Sequence, residues 1–143
     1  MRLTTFSDYS LRVLIYLATD VDRRATIAEI AQAFGISENH LMKVVHFLGR
    51  GGWLRNVRGR GGGLELARPP GEIRVGSVVR ACETHLPAEC FDRATNRCVI
   101  TPVCKLKHAL ADASAAFYGT LDRYTLADIA GNRRALAKIL FER

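Results

Sequence analysis

The feature that most constrains this chain is a single glycine, Gly35, set between two short stretches whose apolar residues recur at helical spacing. On its N-terminal side, Thr26-Ile27-Ala28-Glu29 has the spacing of a capping box, in which the Thr hydroxyl and the Glu carboxylate satisfy exposed N–H groups of a first helical turn. This predicts a helix running to about Phe34 and ending at Gly35. On the other side, Ser37 is placed to cap a helix that continues through Leu41, Val44, Val45 and Leu48. Two short helices about a tight turn predict a helix-turn-helix.

The flanking segments extend the pattern. Phe6, Tyr9, Val13, Leu14 and Leu17 recur at helical spacing and predict a first helix from Phe6 to Ala18, followed by a short charged loop at residues 21–25. After Trp53, the segments Leu54 to Arg58 and Leu64 to Leu66 read as two strands joined by Gly59-Arg60-Gly61-Gly62-Gly63, which is a wing. The fold class expected is mainly α with a small β-hairpin wing: a winged helix-turn-helix plus a long dimerisation helix.

Charge points the same way. The 143 residues hold 21 Lys and Arg against 14 Asp and Glu, a net +7. Residues 40–68 contain six basic side chains (Lys43, Arg50, Arg55, Arg58, Arg60, Arg68) and one acid, Glu65, so +5 of that total lies in one patch. A solvated helix face normally mixes signs, whereas a patch of one sign fits a polyanion.

In a helix-turn-helix the second helix lies in the major groove, and its first residues touch base edges. Here those are Ser37, Glu38, Asn39, His40 and Lys43, of which Ser37, Asn39, His40 and Lys43 carry the donors and acceptors that base readout needs. In the wing, the glycines around Arg60, with Gly61 next to it, let the backbone approach a phosphate or enter a narrow minor groove. Arg58 and Arg60 are the side chains placed to follow it. The expected partner is a double-stranded DNA operator.

Beyond Arg68-Pro69-Pro70-Gly71, Val75, Val78, Val79 and Cys82 mark one face of a short helix. Residues 84–101 lack a clean period and contain Pro87, Asn96, Cys90 and Cys98, so they read as a functional loop. Thr101-Pro102 reads as a helix start, with Thr capping and Pro first. The helix that follows carries Leu106, Ala109, Leu110, Ala113, Phe117 and Leu121 along one stripe, where small residues among large ones suit a dimer seam or packing on the same domain. A last helical segment spans Asn132 to Phe141. The expected organisation is a DNA-binding domain over 1–83, a cysteine-rich cluster-binding loop over 84–101, and a dimerisation helix with a C-terminal helix over 102–143.

Cys90-x7-Cys98-x5-Cys104 offers three thiolates, too widely spaced for the paired geometry of structural zinc. Soft thiolates with one corner open suit an iron-sulfur cluster, with 4Fe-4S favoured and 2Fe-2S the alternative. Cys104 is expected at the third position of the helix capped by Thr101, where the helix dipole stabilises a thiolate. Cys82 ends an apolar series and reads as a buried small hydrophobe. The fourth ligand is open among Asp8, His85, Cys82 and His108, and Asp8 could equally be the partner of Arg12, four residues on in the same helix.

Four segments, Met1 to Tyr9, the wing Arg58 to Gly63, Cys90 to Cys104 with its Ile100-Thr101-Pro102-Val103-Cys104-Lys105-Leu106 run, and Tyr124 to Asp128, together resemble the nitric-oxide-sensing repressors of the Rrf-two family of winged-helix iron-sulfur regulators. The resemblance covers essentially the whole chain. It implies a homodimer whose long helices, here near Pro102 to Tyr124, cross at the interface, with each cluster held by Cys90, Cys98 and Cys104 of one subunit. It also implies that Asp8 from the other subunit is the fourth ligand. Sister regulators of the family carry a histidine three positions after the last cysteine, where this chain has Lys107, with His108 one step further on. The function implied is a transcriptional repressor on a palindromic operator, released when nitric oxide attacks the cluster, so that genes for nitric oxide detoxification are transcribed.

The rival readings are a regulator of cluster supply or redox status, and a constitutive DNA-binding protein with a structural zinc site. An enzyme is not expected, since no nucleotide-binding glycine motif follows a strand and no nucleophile-base set stands out. No run approaches the length of a membrane span and the N-terminus lacks a signal-peptide pattern, so the expected location is the cytoplasm.

Overall fold

A computed structural model describes residues 2–142. Seven helices and one hairpin are described: α1 (Thr5–Thr19), α2 (Ile27–Phe34), α3 (Glu38–Arg50), β1 (Leu54–Val57), β2 (Gly63–Leu66), α4 (Val75–Cys82), α5 (Lys105–Leu121), α6 (Leu126–Ile129) and α7 (Arg133–Leu140). The mainly helical class with a two-stranded wing is the one the sequence predicts.

The helix-turn-helix forms from the local signals that announced it. The Glu29 backbone N–H donates to the Thr26 hydroxyl at 3.2 Å and the Thr26 N–H to the Glu29 carboxylate at 2.6 Å, which closes the capping box. Gly35 ends α2 in the left-handed region with φ 63°, where any Cβ would be strained. Ser37 occupies the N-cap position of α3 but makes no side-chain cap bond among the described residues, so the expected role of its hydroxyl is not met.

β1 and β2 pair antiparallel from Leu54 opposite Leu66 to Val57 opposite Gly63. The sequence reading missed a third partner. Ala25 exchanges two backbone bonds with Leu64, at 3.1 and 2.7 Å, so β2 is held on both sides. Leu14, Ile30, Leu41, Leu48, Leu64 and Ile73 are fully buried in one core, with α1 packed on α3 and α4. Burial of such side chains, about 1.5–3 kcal/mol each, is what holds α2 and α3 at their fixed angle.

The C-terminal segment returns to this core. The Val75 N–H donates to the Tyr124 carbonyl at 2.9 Å and the Leu126 N–H to the Ile73 carbonyl at 2.8 Å, which docks α6 through a capping box of Thr125 and Asp128 that was not anticipated as a helix start. Leu126, Ala130 and Leu140 join the same core, and Phe141 meets Tyr16 edge-on at 5.1 Å. Between these anchors α5 packs against α4, yet none of its described residues is buried.

The start of α5 differs from the expectation. Thr101-Pro102-Val103 closes into a single 3-10 turn, and the Thr101 hydroxyl donates to the Cys98 carbonyl at 2.8 Å instead of capping a helix. The α-helix begins at Lys105, which makes Cys104 its N-cap residue rather than its third residue. Proline favours the first turn of either helix type, and the Thr101 side chain is drawn back into the loop by Cys98 and Asn96.

Candidate nucleic-acid interface and cysteine loop

Helix α3 buries Leu41, Val44, Val45 and Leu48 and turns its opposite face to solvent. Asn39, Lys43, His46 and Arg50 follow one another in steps of four, three and four, so all are exposed along one stripe diametrically opposite the core. Ser37, Asn39, His40 and Lys43 are all exposed. His40 also packs at 6.4 Å against the Tyr9 ring of α1, so it spans the recognition helix and the helix behind it. His46 was missed by the sequence reading, which counted Arg50 in the basic patch without placing it on this stripe; continuing the Asn39 to Lys43 period would have placed both.

The wing turn places Arg58, Arg60 and Gly61 at its exposed tip. Gly59 and Gly61 have φ of 93° and 72°, conformations that a side chain would resist. Behind the tip lies a charge cluster. Glu65 accepts from Arg24 Nε at 2.7 Å and from Arg55 Nε at 2.6 Å, and a terminal nitrogen of Arg24 donates to the Gly61 carbonyl at 3.0 Å. The Arg24 and Arg55 bonds hold the Glu65 carboxyl below its usual range. Arg24 lies outside the basic stretch that the sequence singled out, and only the Ala25 to Leu64 pairing brings it there.

The cysteine loop is ordered by its own side chains. Asp92 accepts from the Thr95 hydroxyl at 2.7 Å and the Ala94 N–H at 2.9 Å, Asn96 accepts from the Cys98 N–H at 3.0 Å, and Glu89 accepts from the Arg97 N–H. The Thr95 and Ala94 bonds hold the Asp92 carboxyl below its usual range. Cys90 and Cys104 are half-buried, Cys98 is exposed, and all are free thiols. Cys82 is buried at the end of α4, and burial pushes its thiol up despite the Ser10 and Ser7 hydroxyls beside it.

Among the described residues, no three histidine, cysteine or carboxylate side chains converge at metal-binding distance. Asp8 instead pairs with Arg12 at 2.7 Å, both about 40% exposed. His85 and His108 are exposed, and Lys107 lies over the Phe91 ring at 5.8 Å. The donor set still fits a soft metal centre. It provides three free thiols on one loop, the last at the N-cap of a 17-residue helix whose first N–H groups no side chain caps among the described residues.

The sequence matches the Rrf2 family, described as iron-dependent transcriptional regulators, over residues 3–132. The chain belongs to the Rrf2 family. It is 48% identical to the HTH-type transcriptional regulator NsrR of Geobacillus kaustophilus, covering 100% of this chain and 99% of that one. It is 47% identical to the regulator of the same name from Bacillus subtilis, over 98% of this chain and 97% of the relative. Among solved structures, IscR of T. potens superposes with a TM-score of 0.75 at 26% identity, covering 92% of this chain and 88% of that one. CymR, the global cysteine regulator of B. subtilis, does so with a TM-score of 0.69 at 26% identity, covering 92% and 97%.

The Rrf2 assignment makes this chain a DNA-binding transcriptional regulator and not an enzyme, with α3 and the wing as its exposed basic elements. No helix among the described residues of this Rrf2 protein is long and apolar enough to cross a membrane.

Proposed function

We propose that this protein is a homodimeric repressor that binds a palindromic operator and senses nitric oxide through an iron-sulfur cluster. Cys90, Cys98 and Cys104 would hold the cluster, with Asp8 of the partner subunit as the fourth ligand. The observation that carries this reading is the set of three free thiols on one loop that feeds the N-terminus of α5, while Cys82 is buried away from it. The likeness of the N-terminal and cysteine-loop motifs to the nitric-oxide-sensing repressors supports the choice of signal. Bound there, the cluster supplies iron centres that take nitric oxide as a ligand.

The chain's own residues account for the rest. At the N-cap of α5, uncapped N–H groups and the positive end of the helix dipole suit a negatively charged cluster held at Cys104. Asp8 is available to a partner at small cost, because an exposed i,i+4 pair with Arg12 is worth only about 0.3–0.5 kcal/mol. Leu106 in the first turn of α5 is 64% exposed and Val103 in the turn before it 82%, which supports a second copy of this chain as the cover for that end of the helix. Asp8 lies on α1, which packs on α3, so a ligand bond made or lost at Asp8 bears directly on the spacing of the two recognition helices.

The test is anaerobic purification followed by iron, sulfide and zinc assay, with DNA affinity and oligomeric state measured before and after nitric oxide. Iron and sulfide in a dimer that releases DNA on exposure supports the reading. Zinc alone, with DNA binding indifferent to nitric oxide, overturns it in favour of a constitutive DNA-binding protein.

A further inference from the structure

We propose that Glu65 is an internal counter-ion of the wing, a positioning residue that keeps Arg24 and Arg55 off the DNA phosphates while it aims the wing tip. The proposal rests on the DNA-binding reading of α3 and the wing. Glu65 is the one acid in residues 40–68, and it sits in β2 directly opposite Arg55 of β1. Each of its oxygens takes one guanidinium, Arg24 at 2.7 Å and Arg55 at 2.6 Å, and its side chain is 16% exposed against 40% and 66% for the two arginines. Arg24 reaches on to the Gly61 carbonyl, so one carboxylate ties β1, β2, the segment before α2 and the wing tip together.

Stability alone does not account for this arrangement, since exposed ion pairs contribute about 0–1 kcal/mol. Position and charge do. The wing turn contains Gly59 and Gly61 at positive φ and closes on a Gly62 N–H to Gly59 carbonyl bond of 3.0 Å, and the Arg24 bond to the Gly61 carbonyl ties this turn, and with it Arg58 and Arg60, to the body of the domain. Two arginines paired to one carboxylate also present less free positive charge to DNA of any sequence. Affinity for nonspecific DNA comes almost wholly from phosphate neutralisation, whereas specific affinity adds base contacts. Withholding these arginines therefore lowers nonspecific binding more than specific binding, and it raises the ratio between the two.

The experiment uses a 30-bp duplex enriched from a random pool by the full-length parent and a scrambled duplex of the same composition, each titrated across a salt series. The parent should prefer the enriched duplex with a steep salt response. A flat response with no preference overturns the DNA-binding reading itself, and this proposal with it. Glu65→Gln should tighten binding to the scrambled duplex, steepen the log-log salt slope by about 0.9 for each arginine released, and cut the preference about ten-fold. Adding Arg24→Gln to Glu65→Gln should return about one such increment of slope per protomer. An unchanged slope and preference in a folded Glu65→Gln protein overturns the proposal, as does a parallel loss of both affinities at constant slope, which marks a purely structural role. Arg55→Gln, on an exposed side chain, is the independent check. The parent's slope should persist, because Glu65 holds Arg55 away from phosphate, and a slope flattened by about 0.9 per protomer shows that it binds phosphate and overturns the proposal.

Discussion

The backbone N–H of Thr4 donates to the Glu83 carboxylate at 2.7 Å, which ties the N-cap of α1 to the residue that follows α4 and opens the cysteine loop. The same carboxylate accepts from the Thr4 hydroxyl at 3.1 Å and the Ser7 hydroxyl at 2.5 Å. Burial pushes the Glu83 carboxyl up, but these bonds from Ser7 and Thr4 outweigh it and bring the group below its usual range. Glu83→Gln should cost about 2 kcal/mol near neutral pH, the worth of bonds to a charged acceptor. Because the folded value is depressed, the contribution is complete above the unfolded value of about 4.3 and is lost as pH falls through the lower folded value. Urea unfolding from pH 7 to pH 3 should show parent and variant converging in acid. A constant gap across that range would mean that the carboxylate charge is not what stabilises the junction.

Gly76 is a steric necessity. A Cβ there would run into the side chain and backbone nitrogen of Asp122, whose carboxylate binds Arg80 at 2.8 and 3.3 Å while that guanidinium covers the Tyr118 ring at 4.8 Å. Gly76→Ala should therefore destabilise by about 1–3 kcal/mol, as overpacking does, and loosen the end of α5 from α4. Thermal melting with hydrogen exchange over residues 118–126 checks both effects.

Arg60 stands on the exposed wing tip and makes no ion pair among the described residues. Arg60→Ala should leave the melting temperature unchanged and weaken binding to an enriched duplex by about 1–3 kcal/mol. Fluorescence anisotropy at fixed salt measures the loss. Parent-like affinity in the folded variant would remove this side chain from the interface.

Arg50 extends the exposed stripe of α3 beyond the residues expected to read bases. Arg50→Ala should weaken binding to enriched and scrambled duplexes alike and flatten the salt slope by about 0.9 per protomer, the signature of one lost phosphate contact. A loss confined to the enriched duplex would instead place Arg50 against a base.

The four cysteines should separate by environment. In metal-free protein, alkylation should reach exposed Cys98 first and buried Cys82 last, since burial both shields Cys82 and disfavours its thiolate. In anaerobically purified protein, Ala at Cys90, Cys98 or Cys104 should abolish bound iron and the visible chromophore, and Cys82→Ala should retain both. Iron retained by any of the first three variants would remove that cysteine from the proposed ligand set.

The sequence by itself determined the helix-turn-helix, because every signal for it is local. The Thr26 to Glu29 capping box, the left-handed Gly35 and the apolar period of α3 each act within a turn or two of helix. The wing was legible for the same reason, through glycines that only a tight turn requires. The cysteine trio and the exposed N-terminal residues of α3 were readable as residue types and spacings, so the candidate site was legible as an inventory.

Its geometry was decided by tertiary structure. Thr101 gives its hydroxyl to Cys98, so α5 starts at Lys105 and Cys104 becomes the N-cap. Glu65 finds Arg24 across 41 residues and Glu83 finds Thr4 across 79, while Thr125 pairs with Arg74 and brings α6 into the core. Helical periodicity and capping are properties of neighbouring residues, whose separation the backbone sets. The partner of a long charged or polar side chain depends on which segments the buried core draws together, and that is settled only when Leu14, Leu41, Leu64 and Leu126 pack into one interior.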